Sequence, residues 1–167
     1  EQVPGGHGVL DEILVSLGRD LWVLMAELAT APENHAKLSD GSTKVTAPMV
    51  ERLEGLIDHT SALFDLPTEF VVPGESVVAA QLDVARTATR RAERDSLGVE
   101  GVGTQVLAYL NRLSDLLWTL ARWVEGESLT ARSVPEGDAA FTEDPAANEP
   151  APNEPASEGE SGVPTDG

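Results

Sequence analysis

The leucines of two long stretches recur at alternating intervals of three and four residues, the spacing that places side chains on one face of an α-helix. The first stretch runs from Leu10 to Thr30, and the second runs from Thr104 to Glu125. Pro32 follows the first stretch, where a proline often comes just after a helix ends. The pattern predicts two amphipathic helices that each bury a leucine stripe. Trp22 and Met25 widen the first stripe and are predicted to lie in the core.

Two further helices are predicted between these stretches. The first begins near Pro48, which suits a first helical turn, and one of its faces carries Val50, Leu53, Ile57 and Phe64. The second follows a break at Pro73-Gly74 and extends to about Leu97, just before a glycine suited to a helix C-cap. The polar residues 33–45 predict a surface loop. Small apolar residues on one face of the later helix indicate that it packs closely within a bundle.

Composition limits the class of protein. The chain has 167 residues, of which 41% are hydrophobic, enough for one domain with its own core. It contains no cysteine, and His59 has no partner at metal-ligand spacing, so no metal site is predicted. A net charge of −18 opposes a phosphate backbone and argues against nucleic-acid binding. Because no apolar run approaches the ~20 residues of a membrane span, we expect no membrane segment. The absence of cysteine favours a cytoplasmic location.

The chain divides into three expected segments. Residues 1–8 are expected to be a flexible N-terminus, and residues 9–126 form the helical domain. From Ser133 onward there is no lysine or arginine, and six of the chain's eleven prolines occur there. Such a composition cannot bury enough apolar surface to offset chain entropy. Residues 127–167 are therefore predicted to be a disordered, acidic, proline-rich tail.

An ionic stripe is the most unusual feature of the third predicted helix. Residues three and four apart share a helix face, so one face carries Asp83, Arg86, Arg90, Glu93 and Arg94. Arginines at this spacing repel one another unless anions neutralise them. The anions can be carboxylates of the chain or a polyphosphate, whose oxygens match the guanidinium fork. The residues alone leave both open and favour a solvated or salt-bridged face.

Asn111 in the last predicted helix has two interpretations. With Asp115 one turn later, it can point into a cleft shared with the arginine-rich helix. It can also bond a neighbouring helix across the bundle, and the residues alone favour that simpler role.

Three motifs resemble one known family. They are FVVPGESVVAAQLDVARTATRRAER at 70–94, YLNRLSDLLWTLAR at 109–122 and DLWVLMAELAT at 20–30. They are similar to the F-(V/I)-L-P-G-G, A-R-T-x-x-R-R-A-E-R, L-N-R-L-S-D and D-L-F-x-L-G-A-E-L-A-T patterns of the ATP:cob(I)alamin adenosyltransferases of the trimeric helical-bundle type. The resemblance implies an all-α, antiparallel helical bundle with four of the family's five helices recognisable. It also implies a homotrimer.

The resemblance implies transfer of the 5′-deoxyadenosyl group of ATP to cob(I)alamin or a related corrinoid, with release of triphosphate and with Mg²⁺ as cofactor. By the same resemblance, Arg90 and Phe70 are the catalytic residues, and Phe70 contacts the corrinoid. The nucleotide site comprises Arg90, Arg91, Glu93, Arg94 and Asn111. Arg86 and Asp83 are implied to form an inter-subunit or structural ion pair.

The chain also departs from the family pattern. Glu75 replaces the second glycine of P-G-G, Asp83 replaces a histidine, and the T-K-T-G-D-x-G phosphate loop does not occur within these residues. Asp83 lies one turn before Arg86 and can pair with it inside the subunit. Two alternatives remain beside the enzyme: a catalytically degenerate homologue that binds a corrinoid or a partner protein, and a plain helical interaction module.

Overall fold

The computed structural model describes residues 7–126 and 128–133. Its elements are α1 (His7–Leu28), a 3-10 helix (Pro32–Lys37), α2 (Ala47–Ser61), α3 (Val77–Ser96) and α4 (Thr104–Glu125). The predicted helical bundle and its four helices are confirmed, with α1 beginning and ending slightly earlier than expected. Within the described residues, no helix is long and apolar enough to cross a membrane.

Helix α4 is the central element of the bundle, because it packs against both α2 and α3. The leucine stripe predicted for it is buried, with Leu110, Leu113 and Leu120 each at most 2% exposed. Leu53 of α2 and Ala79 of α3 are fully buried against the same core. Their burial explains the pattern seen in the sequence, since each helix turns its periodic apolar face toward α4.

The prediction that Trp22 and Met25 lie in the core is wrong. Their exposures are 61% and 56%, although Val23 and Leu24 beside them are buried. The apolar stripe of α1 is therefore narrower than the sequence indicated. Leu17 and Leu24 are buried in the bundle, while Trp22 and Met25 lie outside this stripe and are exposed.

The predicted surface loop at 33–45 is more structured than expected. It begins within the 3-10 helix and ends at Val45, which is 2% exposed. The backbone N–H of Val45 donates to Glu27 Oε2 at 2.6 Å. Glu27 is itself 6% exposed, so a buried carboxylate of α1 holds the end of this connection in place.

Asp20 joins three helices. Its buried carboxylate accepts hydrogen bonds from Arg52 of α2 and, at 3.0 Å, from the hydroxyl of Tyr109 in α4. Burial and the neighbouring Asp20 charge raise the pKa of Tyr109 well above its ordinary value. The phenol therefore stays protonated and continues to donate to Asp20.

A short segment after α4 pairs with the segment before α3. We call residues 128–133 the strap; they form an antiparallel bridge between Thr130 and Val71. These six residues were predicted to belong to the tail, and the difference has a physical cause, because backbone hydrogen bonds to residues 70–72 hold them. The rest of the predicted tail, and residues 1–6 of the predicted flexible N-terminus, lie outside the described residues.

Candidate functional site

Helix α3 is positioned by its N-terminal cap. Ser76 adopts an extended conformation, and its hydroxyl accepts a hydrogen bond from Ala79 N at 3.2 Å. A capping serine fixes where the first turn begins, and this sets the direction of every later side chain. Gly74 just upstream has φ of +105°, a conformation that L residues with side chains rarely adopt. The Pro-Gly break predicted from sequence is therefore a tight entry into α3.

The C-terminal half of α3 presents the three arginines of the predicted nucleotide site to solvent. Arg90, Arg91 and Arg94 are all exposed. None of them forms an ion pair with a carboxylate in the part of the chain that the structure describes. Carboxylates of the described residues, one of the two counter-charges that the sequence left open, therefore do not neutralise these three side chains. We call Arg90, Arg91 and Arg94 the arginine face of α3, and their guanidinium groups remain available to an external anion.

Asn111 lies beside that arginine face. Its Nδ2 donates to Glu93 Oε1 on α3 at 3.0 Å, and its Oδ1 accepts from Arg112 at 2.8 Å. The expected bond from Asn111 to a neighbouring helix is thus confirmed. Because its partner is Glu93, the contact also brings two predicted nucleotide-site residues together. Glu93 shares a helix face with Arg90, so the amide lies next to the guanidinium groups.

The N-terminal half of α3 carries a buried ion cluster. Asp83 is 7% exposed, and its Oδ2 accepts from Arg122 at 2.7 Å. The predicted pair with Arg86 is also present, with 3.5 Å between Arg86 Nε and Asp83 Oδ1. Arg122 is 1% exposed and also contacts Glu125 Oε2 at 3.0 Å. Sequence reasoning missed this role of Arg122, because its partner Asp83 lies 39 positions earlier.

Glu125 completes the cluster, and its carboxyl group lies in an environment that disfavours the charged form. Its side chain has no solvent exposure, although the residue as a whole is only half-buried. Burial raises the pKa of Glu125 above its ordinary value. The Arg122 charge and the hydrogen bond from the Ser128 hydroxyl oppose that rise, whereas the nearby charges of Glu75 and Asp83 add to it. Two carboxylates, those of Asp83 and Glu125, thus share the buried guanidinium of Arg122.

Phe70 lies on the opposite side of the Pro-Gly break from α3, and its side chain is 91% exposed. Two adjoining grooves open between the break and α3, with volumes of about 440 Å³ and 320 Å³. Both are lined by Gly74, Ala80 and Val84. Val77 and Val84 are 76% and 68% exposed, so this surface is largely apolar. Arg86 lines the smaller groove, whereas Arg90, Arg91 and Arg94 line neither.

The predicted site residues therefore form two groups within one chain. Glu93 and Asn111 meet on the α3 half that carries the exposed arginines. The Pro73-Gly74 break borders an apolar groove that ends at Asp83 and Arg86, and Phe70 itself lines neither groove. No cluster of three metal-ligating side chains occurs in residues 7–126 and 128–133. Chemically, the first group can bind an anion with several oxygens, and the second offers contact to a flat apolar ligand.

Known proteins share both the sequence and the fold. A "Corrinoid adenosyltransferase" of Citrobacter freundii is 37% identical over 138 residues, covering 70% of this chain and 77% of its own. A "Corrinoid adenosyltransferase" of Bacillus subtilis is 42% identical over 128 residues, covering 75% of this chain and 63% of its own. One from Mycobacterium bovis is 36% identical over 118 residues, covering 68% and 60%. The chain thus spans between about three fifths and three quarters of these relatives.

A solved structure has the same arrangement of helices. It is a variant of the PduO-type ATP:corrinoid adenosyltransferase from Lactobacillus reuteri, complexed with cobalamin and ATP. It is 30% identical, with a TM-score of 0.64, and the match covers 74% of this chain and 71% of that chain. The sequence model of the family described as "Cobalamin adenosyltransferase" matches residues 3–124. With motifs, fold and relatives in agreement, the chain belongs to the cobalamin adenosyltransferase family.

Proposed function

We propose that this chain transfers the 5′-deoxyadenosyl group of ATP to a corrinoid in its cob(I) state and releases triphosphate. The observation that carries the proposal is the arginine face of α3, where Arg90, Arg91 and Arg94 are exposed beside the Glu93–Asn111 contact. The names of the relatives and the ligands of the Lactobacillus reuteri structure support the choice of ATP and a corrinoid.

The arginine face suits the leaving group of this reaction. When the cobalt nucleophile attacks the 5′ carbon, the carbon–oxygen bond to the triphosphate breaks and negative charge accumulates on that oxygen. Guanidinium groups already in place stabilise this charge without reorganising. We assign Arg90 and Arg94 to the triphosphate, with Arg91 completing the nucleotide site. Asn111, oriented by Glu93, is assigned to the nucleotide as well.

Phe70 and the adjoining groove are assigned to the corrinoid. An exposed aromatic ring can cover one face of a flat macrocycle. The exposed side chains of Val77 and Val84 line the apolar groove that follows the Pro-Gly break. Mg²⁺ would enter with ATP, held mainly by phosphate oxygens and water as this ion prefers.

We further propose that the site is completed by a second copy of the chain, in a homotrimer. Three exposed arginines on one helix, together with the inward-paired Arg86, leave a cationic face without a wall opposite it within the described residues. A neighbouring subunit would supply that wall. The absence of cysteine agrees with a cytoplasmic enzyme.

The decisive test mixes purified protein, ATP, Mg²⁺ and chemically reduced cobalamin and follows the visible spectrum of the adenosylated product. Arg90→Ala should lower kcat/KM by about 30-fold or more, because one charge-stabilising donor to the leaving group is lost. Lys37→Ala is the matched control, since Lys37 is an exposed cation that contacts only Asn34 three residues earlier. Its activity should equal that of the wild type.

Two results would contradict the proposal. Equal activity of Arg90→Ala and wild type would remove Arg90 from the reaction. Binding of cobalamin without formation of product, in a protein that also binds ATP, would favour a degenerate homologue that keeps the ligand but not the chemistry.

A further inference from the structure

We propose that the strap, residues 128–133, positions Phe70 for the corrinoid, so that the segment after α4 supports the corrinoid site from outside it. This inference rests on the proposed function and adds a positioning element that none of the sequence motifs contains. The strap itself need not touch the ligand. Its contribution is to fix the backbone that carries the exposed ring.

Two backbone hydrogen bonds connect the strap to Phe70 and to the residues that follow it. Ala131 N donates to the carbonyl oxygen of Phe70 itself at 2.8 Å. Val72 N donates to Leu129 O at 2.8 Å, across the antiparallel bridge between Val71 and Thr130. The backbone at and just after Phe70 is therefore held by the strap rather than by a helix.

Charged side chains extend the pairing beyond these bonds. Arg132 contacts Glu69 at 3.1 Å, one residue before Phe70. At the other end, Leu129 N donates to Glu75 Oε2 at 3.1 Å. Glu75 is the residue that replaces the second glycine of the family's P-G-G pattern. The carboxylate that Glu75 brings to this position thus accepts a hydrogen bond from the strap.

The buried ion cluster anchors the strap where it leaves α4. The Ser128 hydroxyl donates to Glu125 Oε2 at 3.1 Å, and Glu125 is held by Arg122. Arg122 in turn contacts Asp83 of α3. A continuous set of contacts therefore runs from the core of α3, through the end of α4, to the backbone of Phe70.

Phe70 needs such support because its own side chain is 91% exposed. A buried ring is oriented by the atoms packed around it, but an exposed ring has no such restraint. Ordering a mobile segment at the moment of binding costs affinity, and ordering it beforehand removes that cost. The strap provides this prior ordering for the corrinoid side of the site. Within the described residues, its side-chain hydrogen bonds and ion pairs outside the strap go to Glu69, Glu75 and Glu125 and not to the arginines of α3.

Ala131→Pro in the full chain is the sharpest test, because proline lacks the N–H that bonds the Phe70 carbonyl. Ala131→Val is its matched control, since valine keeps the N–H at this exposed position. We expect Ala131→Pro to raise the KM for cob(I)alamin about three- to tenfold, the worth of one or two backbone hydrogen bonds. The KM for ATP should change by less than about twofold, because the arginine face is untouched. Ala131→Val should match the wild type in both constants.

Hydrogen exchange at Val72 N–H tests the contact separately from activity. The amide should exchange faster in Ala131→Pro than in Ala131→Val. If it does and the KM for cob(I)alamin is unchanged, or if the KM for ATP rises in parallel, the inference is overturned. Equal exchange in the two variants would likewise overturn it.

Failure of the proposed function gives a different result. A wild-type protein that forms no adenosylated product but binds hydroxocobalamin removes the enzymatic assignment. The strap is then judged by the Kd for hydroxocobalamin, which should rise in Ala131→Pro and not in Ala131→Val. An equal Kd in both variants would overturn the inference independently of catalysis.

Discussion

The two halves of α3 differ in whether their charged side chains are buried and paired or exposed. In the first half, Asp83 is buried and paired with Arg122 and Arg86. In the second half, Arg90, Arg91 and Arg94 are exposed, and no carboxylate of the described residues pairs with them. One helix therefore joins a neutralised interior to an open cationic surface.

The difference separates charges that maintain the fold from charges that are available to a ligand. A buried ion pair loses its hydration when the chain folds, and removing one partner leaves the other charge unpaired in a poorly solvated place. An exposed arginine loses little hydration and contributes little to stability. Replacing an arginine by methionine should therefore change stability where the arginine, Arg122 of α4, pairs with the buried half of α3, and change activity where the arginine belongs to the open half.

The largest expected effect is on Arg122. Arg122→Met should lower the free energy of unfolding by about 3–5 kcal/mol, because it leaves Asp83 and Glu125 without their buried partner. Urea unfolding followed by circular dichroism measures the change. A loss below about 1 kcal/mol, the range of exposed pairs, would show that the buried cluster does not hold the two helices together.

The matching substitution in the open half is Arg94→Met. It should leave the free energy of unfolding within about 0.5 kcal/mol of the wild type, as expected for an exposed side chain. Its kcat/KM for adenosyl transfer should fall about 100-fold, as for loss of one preorganised donor. A stable variant with full activity would remove Arg94 from the site and end the functional contrast between the two halves.

A smaller effect concerns pH and sharpens the comparison further. Because the folded-state pKa of Glu125 is raised, its contribution to stability is fully present below the ordinary carboxyl pKa and is lost as pH rises through the folded value. The free energy of unfolding of Glu125→Gln should therefore fall less with rising pH than that of the wild type. Arg94→Met should run parallel to the wild type, since a guanidinium keeps its charge throughout this range. If the free energy of unfolding of Glu125→Gln and that of the wild type changed with pH in parallel, the raised pKa of Glu125 would be contradicted.

Local periodicity explains what the sequence could predict. The four helices followed from apolar spacing and from Pro and Gly positions, which act within a few residues. The same spacing put Arg90, Glu93 and Arg94 on one face of α3. The exposure of Trp22 and Met25 could not be predicted in this way, because periodicity gives the centre of an apolar stripe better than its width.

Contacts between distant residues explain what the sequence could not predict. Arg122 and Asp83 lie 39 positions apart, and Arg132 and Glu69 lie 63 positions apart. Nothing in the local composition around Arg122 distinguishes it from an exposed cation at the end of a helix. The strap was missed for a second reason, since its six residues are too few to show an apolar period.

The carboxylate of Asp20 has a consequence for how the bundle comes apart. It receives Arg52 from α2 and Tyr109 from α4 while belonging to α1. If any one of these helices detached, a charge or a phenol would be stranded inside the remaining two, at a cost set by lost hydration. Detachment of any one of the three helices therefore costs free energy, and α1, α2 and α4 should melt together in a single cooperative step.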